Sequence, residues 1–169
     1  MELLILLLLI LLNGVFSMSE IALVSARKSR LEQEASRGDL RARAALALVN
    51  APNRFLSTVQ IGITLIGILT GIYSGENITE DLEARLLRVP MFAPYAHSLA
   101  VTGVVIAVTF FSLILGELVP KRIGLTYPEP IAKLVALPMR FVSILTAPFI
   151  WLLTTTTELL LRILRIQPK

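Results

Sequence analysis

The chain has no cysteine. Disulfides, thiolate metal centres and cysteine nucleophiles are therefore excluded. A single histidine, His97, cannot build a multi-histidine site. Neither a P-loop nor a G-x-G-x-x-G run occurs, so nothing reads as a nucleotide site. No nucleophile–base pair stands out, and an enzyme is not expected. Charge is scarce as well: 17% of residues are charged against 55% hydrophobic. That balance points to a membrane protein occupying a single domain of 169 residues, with a lipid bilayer as its surroundings. The net charge of +4 comes from bases clustered beside apolar runs, as membrane topology requires. They are not spread over a face that would suit nucleic acid.

What is present is a series of long apolar runs. Leu3 to Ala26 would extend roughly 35 Å as a helix, enough to span. It starts Met-Glu without the basic region or cleavage pattern of a signal peptide. Arg27-Lys28-Ser29-Arg30 follows, which puts the N-terminus outside and the basic end in the cytoplasm. Residues 27 to 54 are rich in bases, and Gly38 divides them into two short helices lying against the inner leaflet. Asn50-Ala51-Pro52-Asn53 turns the chain back.

The second span runs from about Phe55 to Ser74. Asn53, Ser57, Gln60, Thr64, Gly67, Gly71 and Ser74 recur at steps of four and three and share one helical face. Two readings of that face stand: close helix packing through small residues, or a polar pocket containing Gln60 and Thr64. The connection from Gly75 to His97 holds Glu76, Glu80, Asp81 and Glu83 against Arg85 and Arg88, as an external loop would. Thr79-Glu80-Asp81-Leu82-Glu83 has the pattern of a capped helix start, and His97 is expected at the interface rather than on a ligand.

The third span, about Ser98 to Val119, carries Thr102, Thr109, Ser112 and Gly116 on one side and ends on Gly116-Glu117-Leu118-Val119-Pro120-Lys121-Arg122. A carboxylate at hydrocarbon depth marks a functional site by default. Pro120 has no N–H, which frees the carbonyl of Gly116. Oxygens of these kinds bind hard cations. The plain alternative is Glu117 snorkelling at a helix end, paired with Lys121 or Arg122. Glu20 poses the same choice: a pair with Arg27 or Lys28, or a place at the cytoplasmic entrance. Beyond Pro128, the prolines at 130, 138 and 148 and Arg140 suggest a bent, interfacial or re-entrant segment over 128–153. It would keep Arg162, Arg165 and Lys169 in the cytoplasm. Thr154 to Ile166 reads as an amphipathic helix. The fold class is thus all-α: three transmembrane helices, cytoplasmic juxtamembrane helices and a Pro-bent C-terminal segment.

Counting at 1.5 Å per residue brings Ser17, Gly62, Thr64 and Glu117 to a similar level in the inner half of the bilayer. Phe16-Ser17-Met18-Ser19-Glu20 and Gly116-Glu117-Leu118-Val119-Pro120-Lys121 resemble two motifs of the CNNM/CorC family of magnesium transporters. The resemblance covers essentially the whole chain. It implies a homodimeric membrane domain in the plasma (inner) membrane that exports Mg²⁺ in exchange for Na⁺. Ser17 and Glu117 are the ligands carried over, with Ser19 beside them. The Gly62 carbonyl, Thr64 and the freed carbonyl of Gly116 complete the candidate set. Ile63 stands where magnesium-binding members often have Asn, so Gln60, Thr64 or water would have to compensate. The family's cytoplasmic CBS-domain pair and C-terminal domain are expected beyond this stretch. Two further readings stand beside Mg²⁺ export: an exporter of an organic polycation using the same acids, and a non-transporting membrane sensor or scaffold.

Overall fold

The computed structural model describes residues 1–167, and of residues 76 and 77 only the backbone. The expectations for Lys169 and for the Glu76 side chain lie outside the described part. Among the described residues every regular element is helical. The α-helices are α1 (Glu2–Ser25), α2 (Lys28–Ser36), α3 (Leu40–Val49), α4 (Pro52–Tyr73), α5 (Thr79–Leu87), α6 (Ala96–Leu113), α7 (Val119–Thr126) and α8 (Pro128–Ile163). Wider π-helical turns occupy Ser74–Ile78 and Ile114–Leu118.

The all-α class holds, and the chain is an integral membrane protein. Four helical stretches, one more than the three expected spans, are long and apolar enough to cross: Glu2–Ser25, Pro52–Tyr73, Ala93–Thr126 and Pro128–Ile163. The last is one uninterrupted helix that carries Pro138 and Pro148 inside it. A re-entrant course needs a turn within 128–153, and the helix has none. Its buried residues run only from Glu129 to Ser143; beyond these its side chains are mostly exposed, and Ala147, Ile150, Trp151 and Thr154 lie beside Asn53, Arg54 and Ser57 at the start of α4.

The short helices form as their sequence dictates. Gly38 takes φ +94°, a left-handed turn that a side chain would oppose, and α2 and α3 fold back on each other through it. Asp39 then caps α3, its Oδ1 accepting from the amides of Arg41 (3.0 Å) and Ala42 (3.3 Å). Burial pushes this carboxyl up, but the Ala42 and Arg41 amides and the Lys133 ammonium outweigh it and hold it below the usual carboxylate range. Lys133 on α8 reaches Glu34 Oε2 at 2.6 Å and Asp39 Oδ2 at 3.4 Å, pinning the hairpin to α8. Behind that pin lies the core: Leu23, Leu31, Ala45, Phe55, Val59, Ala132 and Met139, drawn from α1, α2, α3, α4 and α8. Fully burying a leucine such as Leu31 contributes roughly 1.5–3 kcal/mol.

α1 is the axis of the rest, and glycines set how close its neighbours come. A Cβ on Gly62 of α4 would lie 2.7 Å from the Phe16 ring. One on Gly14 would lie 2.8 Å from the Leu115 carbonyl oxygen, and one on Gly124 would lie 2.8 Å from that of Met18. These contacts run in parallel order along α1 and the α6–α7 rod, and they fix the register of both. At the far end α5 does not start on a Thr79 cap. The helix runs into it from the π turn, and the Thr79 hydroxyl lies 3.5 Å from the Ser74 carbonyl. His97 is exposed, with Nδ1 3.1 Å from Glu83 Oε2.

Candidate functional site

Pro120 cannot donate to the carbonyl of Gly116, and its ring crowds that carbonyl. The helix does not break there. It widens by one residue over Ile114–Leu118, and the Val119 N–H bonds to the Ile114 carbonyl, five residues back. Such π turns recur at functional sites because they displace a side chain from its helical register. The Gly116 carbonyl finds a donor on another helix: Asn13 Nδ2 lies 3.1 Å from it. Gly116 is buried, and a Cβ there would lie 3.1 Å from Asn13 Nδ2, a tight fit.

Glu117, the next residue, is half-buried and lines a cavity of about 320 Å³ between α1, α4 and α6. Polar lining comes from Asn13, Thr70, Thr109, Ser112 and Glu117; Ile10, Ile63, Ile66, Val108 and Leu113 supply apolar wall. Gly67 and Gly71 form the side made by α4. Among the described residues no ion pair joins Glu117 to Lys121 or Arg122, and none involves Glu20. No group of three or more His, Asp or Glu side chains gathers among the described residues. Among the described residues that line the cavity, Glu117 is the sole acid.

The other candidate residues fall around this cavity rather than in it. Ser17 and Ser19 are buried on α1, and the Ser19 hydroxyl donates to the Val15 carbonyl at 2.6 Å. Gly62 is buried against Phe16. Phe16 and Gly62 mark one level, Asn13 and Gly116 another; the two are roughly 5 Å apart, three or four residues along α1. Thr64 and Gln60 are exposed, on the side of α4 turned away from α1. The glycine contacts thus place Gly62 beside Ser17 and the Gly116–Glu117 pair about one turn along α1 from them.

Two residues were not singled out by their sequence context. Asn13 is the lone amide within the leucines of α1, four residues before Ser17 and so on its face; that spacing was the available signal. Glu129, buried in the first turn of α8, accepts from the Arg27 amide at 3.4 Å and ties α8 to the start of α2. Nothing local in Pro128-Glu129-Pro130 announces that contact.

Residues 4–169 match the family model of the Cyclin M transmembrane N-terminal domain, CNNM. The chain belongs to the CNNM family. Among curated CNNM relatives, the UPF0053 protein sll0260 of Synechocystis sp. is 52% identical over 169 residues, covering all of this chain and 38% of that protein. The polyamine export protein of Haemophilus influenzae is 35% identical over 159 residues, 94% of this chain and 37% of that protein. The polyamine export protein of Escherichia coli strain K12 is 31% identical over 165 residues, again 37% of the longer protein. The chain thus spans less than two fifths of these CNNM relatives.

Proposed function

We propose that this domain exports a cation through the α1–α4–α6 cavity, with Glu117 as the binding carboxylate and an organic polycation as the cargo. The observation that carries this is the make-up of the cavity: one acid, an amide and hydroxyls set in apolar wall. A chain that alternates ammonium groups with methylenes places charge on Glu117, donates to Thr109, Ser112 or the Asn13 carbonyl oxygen, and buries its methylenes against Ile66 and Val108. A volume of about 320 Å³ lies at the small end of ligand pockets and suits a slender chain. The relatives named as polyamine exporters support the same cargo.

Sodium-coupled Mg²⁺ export is the second reading. The buried hydroxyls of Ser17 and Ser19 favour it, lying next to Gly62 roughly one turn from Glu117. A dehydrated Mg²⁺ takes about six oxygens near 2.1 Å, so this reading requires Glu117, Ser17 and the Gly62 carbonyl to converge in a further conformation, with water or Thr64 completing the set.

The assembly we propose is a homodimer. Gln60 and Thr64 form an exposed polar stripe on the side of α4 turned away from α1, where lipid gives their polar groups no partner. The proposed orientation has the N-terminus outside and α2–α3 in the cytoplasm of a plasma-membrane protein, as the basic residues after α1 favour. Titration calorimetry of the purified chain with spermidine and, separately, with MgCl₂ decides the cargo. Spermidine heat that vanishes in Glu117→Gln supports the first reading; Mg²⁺ heat alone, enhanced or suppressed by NaCl, replaces it with the second.

A further inference from the structure

A larger cavity, about 680 Å³, lies at the other end of the helical rod. α1 packs against the π turn at Ile114–Leu118 but hardly touches α6 itself, so the two helices part toward their N-terminal ends. α5 lies across the gap on α6, where Gly103 leaves room for Leu82 at 3.5 Å. The result is a wedge with walls of Leu6, Leu7, Val104, Ala107, Phe111 and Leu115. Its length along α6, from Gly103 to Leu115, is roughly 18 Å. One leaflet of a bilayer is about 15 Å deep. At the mouth stand Arg85, Asp81 and Glu2. Among the described residues none of the three takes part in an ion pair.

We propose that this wedge is a binding site for one phospholipid with a primary-ammonium headgroup, phosphatidylethanolamine. One acyl chain fills the apolar slot. The guanidinium of Arg85 takes the phosphate, and the carboxylates of Asp81 and Glu2 take the ammonium. The charge pattern selects the headgroup: a quaternary choline cannot donate to the carboxylates, and a glycerol headgroup brings no cation to offset them. The slot matches one leaflet in depth, with its charges at the level where headgroups lie. A second copy of the chain is expected elsewhere, on the Gln60–Thr64 stripe of α4, since no residue of α4 borders the wedge. The inference is independent of which cation Glu117 binds.

Native mass spectrometry of the purified chain tests it, after exposure to equimolar phosphatidylethanolamine, phosphatidylcholine and phosphatidylglycerol. The expected result is one phosphatidylethanolamine retained per chain. Arg85→Ala should lower that retention at least fivefold, and Ala107→Trp, which fills the slot, should abolish it. Glu117→Gln should leave it unchanged. Equal retention of the three lipids overturns the proposal, as does full retention by Arg85→Ala. Arg85 is exposed, so that variant tests the site even if Ala107→Trp does not fold. A disulfide between two copies of Leu7→Cys, in a chain with no other cysteine, would also overturn it by giving the wedge to protein.

Discussion

Asn13 on α1 donates through Nδ2 to the carbonyl of Gly116, 3.1 Å away, and in doing so replaces the hydrogen bond that Pro120 withholds. One residue on, Glu117 faces the same cavity as Asn13. The amide therefore holds the π turn that positions the carboxylate. Local sequence (Pro120) creates the need, a second helix answers it, and the acid beside them gains a fixed direction.

Removing that amide should loosen the turn. Asn13→Leu keeps the branched shape of the side chain but leaves the Gly116 carbonyl without its donor, a loss of about 1–3 kcal/mol for a buried group. Thermal unfolding in detergent should show a lowered midpoint, and Asn13→Gln should recover part of it. If Asn13→Leu melts with the wild type, the bond does not carry the turn.

The glycine contacts make a second claim. Gly62→Ala places a methyl 2.7 Å from the Phe16 ring, so α1 and α4 must part or the ring must move. The single variant should be destabilised by roughly 1–3 kcal/mol. Combining it with Phe16→Leu should restore much of the loss, because the two positions share one contact. Additive losses in the pair would place the strain elsewhere.

This register is the part of the fold that the sequence hid. The all-helical class, the hairpin turn at Gly38 and the restart of the chain at Pro52 were legible from apolar runs and breakers, because each is decided within a few residues. Glu117 stood out as an acid in an apolar run for the same reason. What it faces was not legible: Asn13, Gly67 and Thr70 meet it because Gly14, Gly62 and Gly124 let helices interlock at particular heights, and spacing within one helix carries no such information. Likewise, the polar stripe of α4 was visible as a stripe, but its turning away from α1 at Gln60 and Thr64 is a property of packing. The unbroken course of α8 through Pro138 and Pro148 shows that two prolines ten residues apart do not by themselves end a helix.

Acid should act on the α2–α3 hairpin. The carboxyl of Asp39 is held below its ordinary value of 3.8, so its contribution is fully present above that value. It is lost as pH falls below 3.8 through the depressed folded-state value. Hydrogen exchange of amides 28–49 should accelerate in that window in the wild type, and Asp39→Asn should lack the transition. Lys133→Met, which removes the partner of both Glu34 and Asp39, should shift the transition upward toward the ordinary carboxylate value. An unchanged profile in Lys133→Met would remove the pin from the account.

The exposed stripe of α4 should be a contact between copies. Thr64→Cys in this cysteine-free chain should form an inter-chain disulfide in membranes, while Leu145→Cys, on an exposed face of α8, should not. Equal cross-linking at both positions would mark it as chance collision.

The most direct measurement is cation flux from proteoliposomes carrying the wild-type chain or Glu117→Gln. Glu117 forms no ion pair among the described residues, so the neutral isostere should fold and melt like the wild type. It should also lose at least ten-fold in the rate of spermidine or Mg²⁺ movement, whichever the wild type carries. Flux that survives Glu117→Gln unchanged, in a protein shown to be folded, would contradict the claim that this carboxylate binds the travelling cation.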